Sequence, residues 1–589
     1  MSEQDFARIP VTMVEIDQDL CCKKWADTND CGTCNADGDS PCYNTRETCQ
    51  SLEDYELGDP LTLKFSMRDR AEGFNDYVIP SVDSVSTSPT RINVGGRQGR
   101  EKPLGVRSEA TITFTDHPHS DLVVDPYIDQ RDFNPLERGT FWSKWLRRNP
   151  FFINRPVRVR EGFAGQSPDE MQTRRYVIER IEGPDSNGAV TLKAQDILRL
   201  ADNDKAKAPD LSRGALLEPI SETATSMTVT GGTLSEYTQY DTQAVRIGDE
   251  VIRYTGVSEN ADGDLEFTGL SRGTDGSEAS DHDEEDTVQA CLEYTDKEPW
   301  RIAYELLTDF GGVTPDFIDL DAWDDEGTTW LSGFFVSRLL TEPVGVNELL
   351  GELSEQCLFF IWWDDRQQQI RLKAVAPPIG SVPVLTEDEN FRRDSIRIKT
   401  RPEERTSEVW VSIRPIDATD IDEERKLYRI TRARVDPTAA SREEYGERRV
   451  YEVFSSWLNT NAQADILTFR LLARYRRPPK YLKFSLDVKD RDLELGQPFD
   501  VEYRGFVDET GKPERVRYQL ISAHESPPGE RIKCEAQQFD FDIDIRPGNW
   551  MVEDAPVYTE ASEEEQETGF FWSDSDGLMS DNSEGYVWS

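Results

Sequence analysis

The fold is constrained first by how the hydrophobic period changes along the chain. Arg107 to Thr115 (RSEATITFT) and the Leu482, Phe484, Leu486, Val488 series alternate with period two, as strands with one buried face do. Tyr176 to Ile181 and Val190 to Ala194 read as strands paired around the turn DSNG. Leu61 to Phe65, and Ile9, Val11 and Met13, read as further strands, and Thr140 to Arg148 as a helix. Residues 213–294 lose every helix signal and keep short apolar pairs between Gly-rich turns, the texture of a small all-β module. After Glu298 the period lengthens. Ile302, Leu306, Leu307 and Phe310 share one helix face before Gly311-Gly312. Val346, Leu349, Leu350, Leu353 and Cys357 share another, followed by LFFIWW, the turn DDRQQQ and a returning strand. A third helix over 460–476 stops at Pro478-Pro479.

These patterns predict a β-rich, multidomain α+β chain. At 589 residues it exceeds a single core. The expected divisions are 1–60, a cysteine-rich segment; 61–212, a first β-barrel domain; 213–294, the all-β insertion; 295–400, an α+β domain; 401–555, a second β-rich domain; and 556–589, an acidic tail holding Phe570, Phe571, Trp572, Tyr586 and Trp588. A disordered tail rarely holds so many aromatics, so docking on a neighbour is expected of it.

Six of the nine cysteines lie between Cys21 and Cys49: Cys21, Cys22, Cys31, Cys34, Cys42 and Cys49. The segment is polar and has little to bury, so a multivalent ligand is the natural organiser. Thiolates suit tetrahedral zinc or an iron–sulfur cluster, and the spacing matches neither a ferredoxin run nor a paired zinc knuckle. Zinc, iron–sulfur, disulfides and free thiols all stay open at this point. Cys357 and Cys534 sit in apolar patterns and read as small buried hydrophobes.

Other motifs are weak. Asp116, His117, His119, Asp121 and Asp125 have metal-ligand chemistry but read better as a polar loop, because four histidines in the chain are a poor supply for catalysis. Asp316 to Glu326 is acidic like a calcium loop but lacks its glycine and closing glutamate, and reads as a solvated turn. Val94 to Arg100 (VGGRQGR) is Gly-rich but lacks the Lys-Ser/Thr pair of a phosphate loop. Gly269-Leu-Ser271-Arg-Gly273 precedes a turn-like stretch, where a nucleophile elbow needs a helix. Nothing here favours an enzyme.

The net charge of −47, from 114 acidic and 67 basic residues, opposes phosphate binding. It suits a surface that DNA passes without sticking, or a salty habitat. The longest apolar run, Cys357 to Trp363, is far too short to span a bilayer, so no stable membrane insertion is expected. The opening MSEQDFARIP lacks a signal-peptide layout, which predicts a soluble protein made and kept in the cytosol until assembly.

Taken together, EIDQDLCCKKW at 15–25 and PCYNTRETC at 41–49 resemble the metal-binding segment of central hub (baseplate hub) proteins of siphophage tails and gene transfer agents. LGVRSEATITFTDH, RGTFWSKWLRRNPFF, IGDEVIRYTG, GLSRGTDGSEASDHDEEDTVQ, ELLTDFGGV, VNELLGELSEQCLFFIWWDD, LLARYRRPPKYLKFSLD and VYTEASEEEQETGFFW continue the resemblance in order. Trp25 to Cys31 is one residue longer than the family spacing, while Cys42 and Cys49 match it. The resemblance implies a structural protein, not an enzyme, at the virion tail tip. It implies a homotrimer whose chains each bring two tail-tube-like β-barrels to a sixfold tube. It implies a distal tail protein, the C-terminus of the tape-measure protein, and a tail fibre or receptor-binding protein as partners, with DNA passing through the lumen. It favours a 4Fe-4S cluster on Cys21, Cys31, Cys42 and Cys49 over zinc, with Cys22 and Cys34 as substitutes.

Overall fold

In the computed structural model, which describes residues 9–25, 33–34, 41–69, 74, 77–93, 104–202, 205–376, 382–436, 448–490, 492–525, 531–539, 549–550, 557–562 and 569–570, the first long strands close on themselves. They are β1 (Pro10–Gln18), β2 (Leu61–Met67), β3 (Ile79–Ser88), β4 (Glu109–Thr115), β5 (Pro156–Phe163), β6 (Gln172–Glu182) and β7 (Ala189–Gln195). Their order around the barrel is β1-β2-β3-β4-β7-β6-β5. In β4 the alternation puts Ala110, Ile112 and Phe114 inside, all at 0% exposure. Helix α1 (Phe141–Arg148) plugs the barrel with Phe141, Trp142 and Trp145. The Trp142 ring lies 4.7 Å from Phe114 and stacks on Phe65 at 5.6 Å. Asp116 starts this helix from outside it, accepting hydrogen bonds from Trp142 N (2.9 Å) and Thr140 Oγ1.

A module over 215–290 has its own core, including Val229, Val245, Ile252 and Phe267. A four-stranded and a three-stranded sheet enclose it. The module is fixed to the rest through Ala418, whose N–H donates to Asp275 O at 3.1 Å. Gly276 makes that approach possible: its φ is +96°, and a Cβ there would stand 1.9 Å from Ile416 O.

The largest core joins α2 (Pro299–Glu305), α3 (Leu320–Trp330), α4 (Val346–Cys357) and the hairpin β8 (Phe359–Asp364) and β9 (Gln369–Ala374). The acidic stretch 316–326, expected as a solvated turn, enters α3 instead. Asp319 caps the helix by accepting from Ala322 N (3.1 Å), and acidic residues in its first turn suit the positive end of the helix dipole. Trp323 anchors it, buried and donating Nε1 to Ile370 O at 3.1 Å. Cys357 and Cys534 are buried.

A second β unit follows: β10 (Val384–Thr386), β11 (Arg397–Thr400), then β12 (Glu408–Pro415), β13 (Tyr428–Val435) and β14 (Val450–Ser455) in a separate three-stranded sheet. Helix α5 (Asn461–Tyr475) precedes β15 (Lys480–Asp487), β16 (Pro498–Val507), β17 (Pro513–Glu525) and β18 (Arg531–Gln538). The six-stranded sheet runs β11-β15-β18-β17-β16-β10, and two of its strands come from before residue 401.

This neighbour order repeats that of the barrel, β3-β4-β7-β6-β5-β1, strand for strand in chain order. The second unit is an open six-stranded sheet where the resemblance implies a second closed barrel, and it differs in two further ways. No strand occupies the place of β2 among the described residues, and β10 is parallel to β16 where β1 is antiparallel to β5. The two units are stitched together: Ile92 N donates to Ile521 O (2.9 Å), and Ser522 Oγ donates to Thr90 O (2.9 Å). A bulge in β17 between Leu520 and Ser522 accompanies the contact, and Ile521 and Ile92 enter the shared core.

Candidate functional site

The cysteine segment lies between β1 and β2 in the chain and folds back on itself through its backbone. Cys21 N donates to Asn44 O (2.7 Å), Cys22 N to Glu56 O (2.9 Å) and Gly58 N to Leu20 O (2.8 Å). Gly58 is required there because a Cβ would meet Cys22 Cα at 2.9 Å. Asn44 ties the two cysteine-bearing stretches together. It sits at φ 55°, a conformation Asn tolerates, and its side-chain amide reaches Cys21 O (3.4 Å) and Lys23 O (3.5 Å). Its backbone N–H points at Cys42 Sγ, 3.3 Å away. Tyr43 N donates to Thr48 Oγ1 at 3.1 Å, and a single turn over Arg46–Thr48 delivers Cys49.

A basic cradle holds this loop. Arg131 donates to Pro41 O (2.6 Å) and Cys42 O (2.9 Å) and forks onto Asp125 through Nε (2.8 Å) and Nη2 (3.1 Å). Arg131 and Arg148 both lie over the Tyr43 ring, at 4.1 and 3.8 Å from its centroid. Such contacts contribute about 0.5–2 kcal/mol each. Asp121 binds Arg148 (2.7 Å) and Lys144 (2.6 Å), while His119 Nδ1 accepts from Asp121 N (3.0 Å). Burial alone would raise the Asp121 pKa, but His119, Lys144 and Arg148 hold it well below the usual carboxylate range. Burial would lower Arg131; the hydrogen bond and charge of Asp125, with Tyr43 and Cys42 beside it, keep it above its ordinary value.

The Asp116 to Asp125 motif is therefore structural. Asp116 caps α1, and Asp121 and Asp125 face three cations, an arrangement that repels a hard metal ion. Cys42 Sγ accepts from the Asn44 N–H (3.3 Å) and donates to Asn44 Oδ1 (3.4 Å), with Arg131 close by. The described thiols at Cys21, Cys22, Cys42 and Cys49 are donors of the kind that zinc or an iron–sulfur cluster takes.

Cys21, Cys22, Cys42 and Cys49 are half-buried. Cys31 lies outside the described residues. Of Cys34 only the backbone is described, pairing with Trp25 in a parallel bridge. Among the described residues no group of three or more His, Cys, Asp or Glu side chains is placed to hold a metal ion. Arg131, Arg148 and Asn44 carry the site's geometry. Sequence reasoning passed them over, although Asn44 stands inside CYNTRETC and Arg148 inside WLRR.

Ser271 is no elbow. It bridges Arg253 backbone to backbone, with no helix after it, and its neighbour Arg272 is buried on Glu250 at 2.7 Å beside His282. The Val94 to Arg100 stretch lies outside the described residues. Among the described residues no helix is long and apolar enough to cross a membrane.

No protein-family model and no curated protein matches the chain. Among solved structures it is similar to a tail protein from Neisseria meningitidis MC58, at 12% identity and TM-score 0.33, covering 77% of this chain and 97% of that one. A 43 kDa tail protein of prophage MuSo2 from Shewanella oneidensis gives 10% identity, TM-score 0.33 and the same coverage. A chain of a native gene transfer agent virion gives 13% identity and TM-score 0.31, covering 60% and 94%. Likeness at this level fixes neither a family nor a function.

Proposed function

We propose that this chain is a structural hub at the tip of a long-tailed phage tail, without enzymatic activity, closing the tube and taking part in DNA ejection. The observation that carries the reading is the pair of β units with one strand order in a single chain. Three copies then present six such units, the number that matches a sixfold tube without a new interface type. The distal tail protein sits above, the tape-measure C-terminus inside, and a fibre or receptor-binding protein below. The surplus of carboxylates suits a lumen that DNA passes without adhering.

Cys21, Cys31, Cys42 and Cys49 hold a 4Fe-4S cluster in this reading, with Cys22 and Cys34 as substitutes and zinc as the alternative metal. When bound, the metal supplies a multivalent covalent staple for a loop with almost no core of its own. Arg131 and Asn44 position the Cys42 side of that loop.

Gold-labelled antibody raised against residues 213–294 tests the location by electron microscopy of intact particles. Label confined to the distal end of the tail fits the reading. Label on the head or along the tube contradicts it.

A further inference from the structure

Helix α5 carries a buried positive charge that faces no carboxylate among the described residues. Arg474 is 4% exposed. Its Nη2 donates to Gln519 Oε1 (3.0 Å) and Gln537 Oε1 (3.4 Å), both neutral acceptors on the adjacent strands β17 and β18. Its Nε and Nη1 are buried and have no acceptor. One turn earlier on the same helix face, Arg470 has a buried Nη1 in the same condition. Gln537, whose oxygen serves Arg474, leaves its own Nε2 buried and without an acceptor. The Phe539 ring lies 5.4 Å from the Arg474 guanidinium carbon.

Arginine stays charged when buried, and a buried charge needs a counter-charge or it destabilises the fold. Other enclosed arginines follow this rule: Arg131, Arg148, Arg174 and Arg272 each face a carboxylate. At Arg470 and Arg474 none does among the described residues. Burial lowers both pKa values, that of Arg470 to about 10 with burial as its sole cause.

We propose that Arg474 and Arg470, with Gln537 Nε2, form a buried site for a small oxyanion, a carboxylate or a phosphate. Charge-assisted bonds from a guanidinium to such an oxygen are the strongest it can make, and the amide of Gln537 adds a directed donor beside them. The ligand locks α5 to β17 and β18, so its binding stiffens the seam between the second β unit and the central core. This site is independent of the hub reading, since it follows from unpaired donors and not from assembly.

The test is hydrogen exchange on the full chain in sodium phosphate, sodium acetate and sodium chloride at equal pH and ionic strength. Amides of 461–475 and 531–538 should exchange more slowly in phosphate or acetate than in chloride. Slowing by both assigns a general oxyanion site, and slowing by one names the ligand. Arg474→Met and Arg470→Met should each abolish the difference. Arg470→Met, at the less buried position, decides alone if Arg474→Met does not fold. Exchange that ignores the anion, or responds equally in wild type and variants, overturns the proposal.

Discussion

Asn44 shows how much of the candidate site rests on single residues: its left-handed backbone, its amide to Cys21 O and Lys23 O and its N–H to Cys42 Sγ join the two ends of the cysteine segment. The residues with thiol chemistry were legible in the sequence because cysteine is scarce elsewhere. Their support was not, because Arg131 and Arg148 are remote in sequence and reach the loop only once the barrel folds. Two outcomes follow at this scale. Cys42→Ser or Cys49→Ser should lose the metal, loosen residues 41–58 and block tail assembly, while Cys22→Ser or Cys34→Ser should do less. Anaerobic purification with visible absorption and metal analysis reads this out. Zinc without visible colour keeps the staple and removes the cluster, and full assembly without metal in the Cys42 and Cys49 variants removes both. Arg131→Met strands Asp125 without its partner, and losing one member of a buried pair costs about 3–5 kcal/mol. Denaturant unfolding of the barrel should show that loss, and a change under about 0.5 kcal/mol, the usual size at an ordinary surface position, would deny the cradle its role.

Among the elements, strands with clean alternation, such as β4 and β15, and the helices α4 and α5 were readable because period and length coincide. Strand β3 was not: its IPSVDSVSTS buries only Ile79, Ser81 and Val82, and closure of the barrel, not periodicity, sets its place. The acidic α3 escaped because one buried tryptophan and an Asp cap outweigh its polar composition. Pairing order, and with it the repeat of the barrel topology, is invisible to any local pattern. The plug of the barrel predicts that Trp142→Ala costs about 3–5 kcal/mol, the range for emptying an aromatic site in a core. Calorimetry should find the first barrel destabilised and the 213–294 module unchanged.

The hairpin tip between β8 and β9 adds a pH dependence. Gln368 there accepts from Arg175 Nε (2.5 Å) of the barrel, and Asp365 is half-buried, with its Oδ1 enclosed, beside Arg174 and Asp196. Burial is the main cause that pushes Asp365 up to about 7 and Asp196 up to about 6, Arg174 and Arg107 respectively opposing it. Both values lie above the ordinary 3.8. The folded chain therefore binds these protons more tightly than the unfolded one, and the stability they lend is full below 3.8 and lost as pH rises through 6 and 7. Asp365→Asn should flatten the fall in thermal stability between pH 4 and 7, and an unchanged slope would show that the tip is not the titrating element.

At the scale of the whole molecule, composition gave the acidity and the absence of a bilayer-length apolar run, while shape and assembly depend on how two β units and a central core are joined. The acidic aromatic tail lies mostly outside the described residues. Removing residues 560–589 should leave the domains folded and weaken docking on the tail, as counted by assembled particles; unchanged assembly would deny the tail that task. The central claim is that the two β units of each chain serve a sixfold tube, and copy number tests it most directly. Native mass measurement of purified tail tips should find three copies of this chain per tail in a threefold ring. Six copies per tail, or a stable dimer, would contradict it.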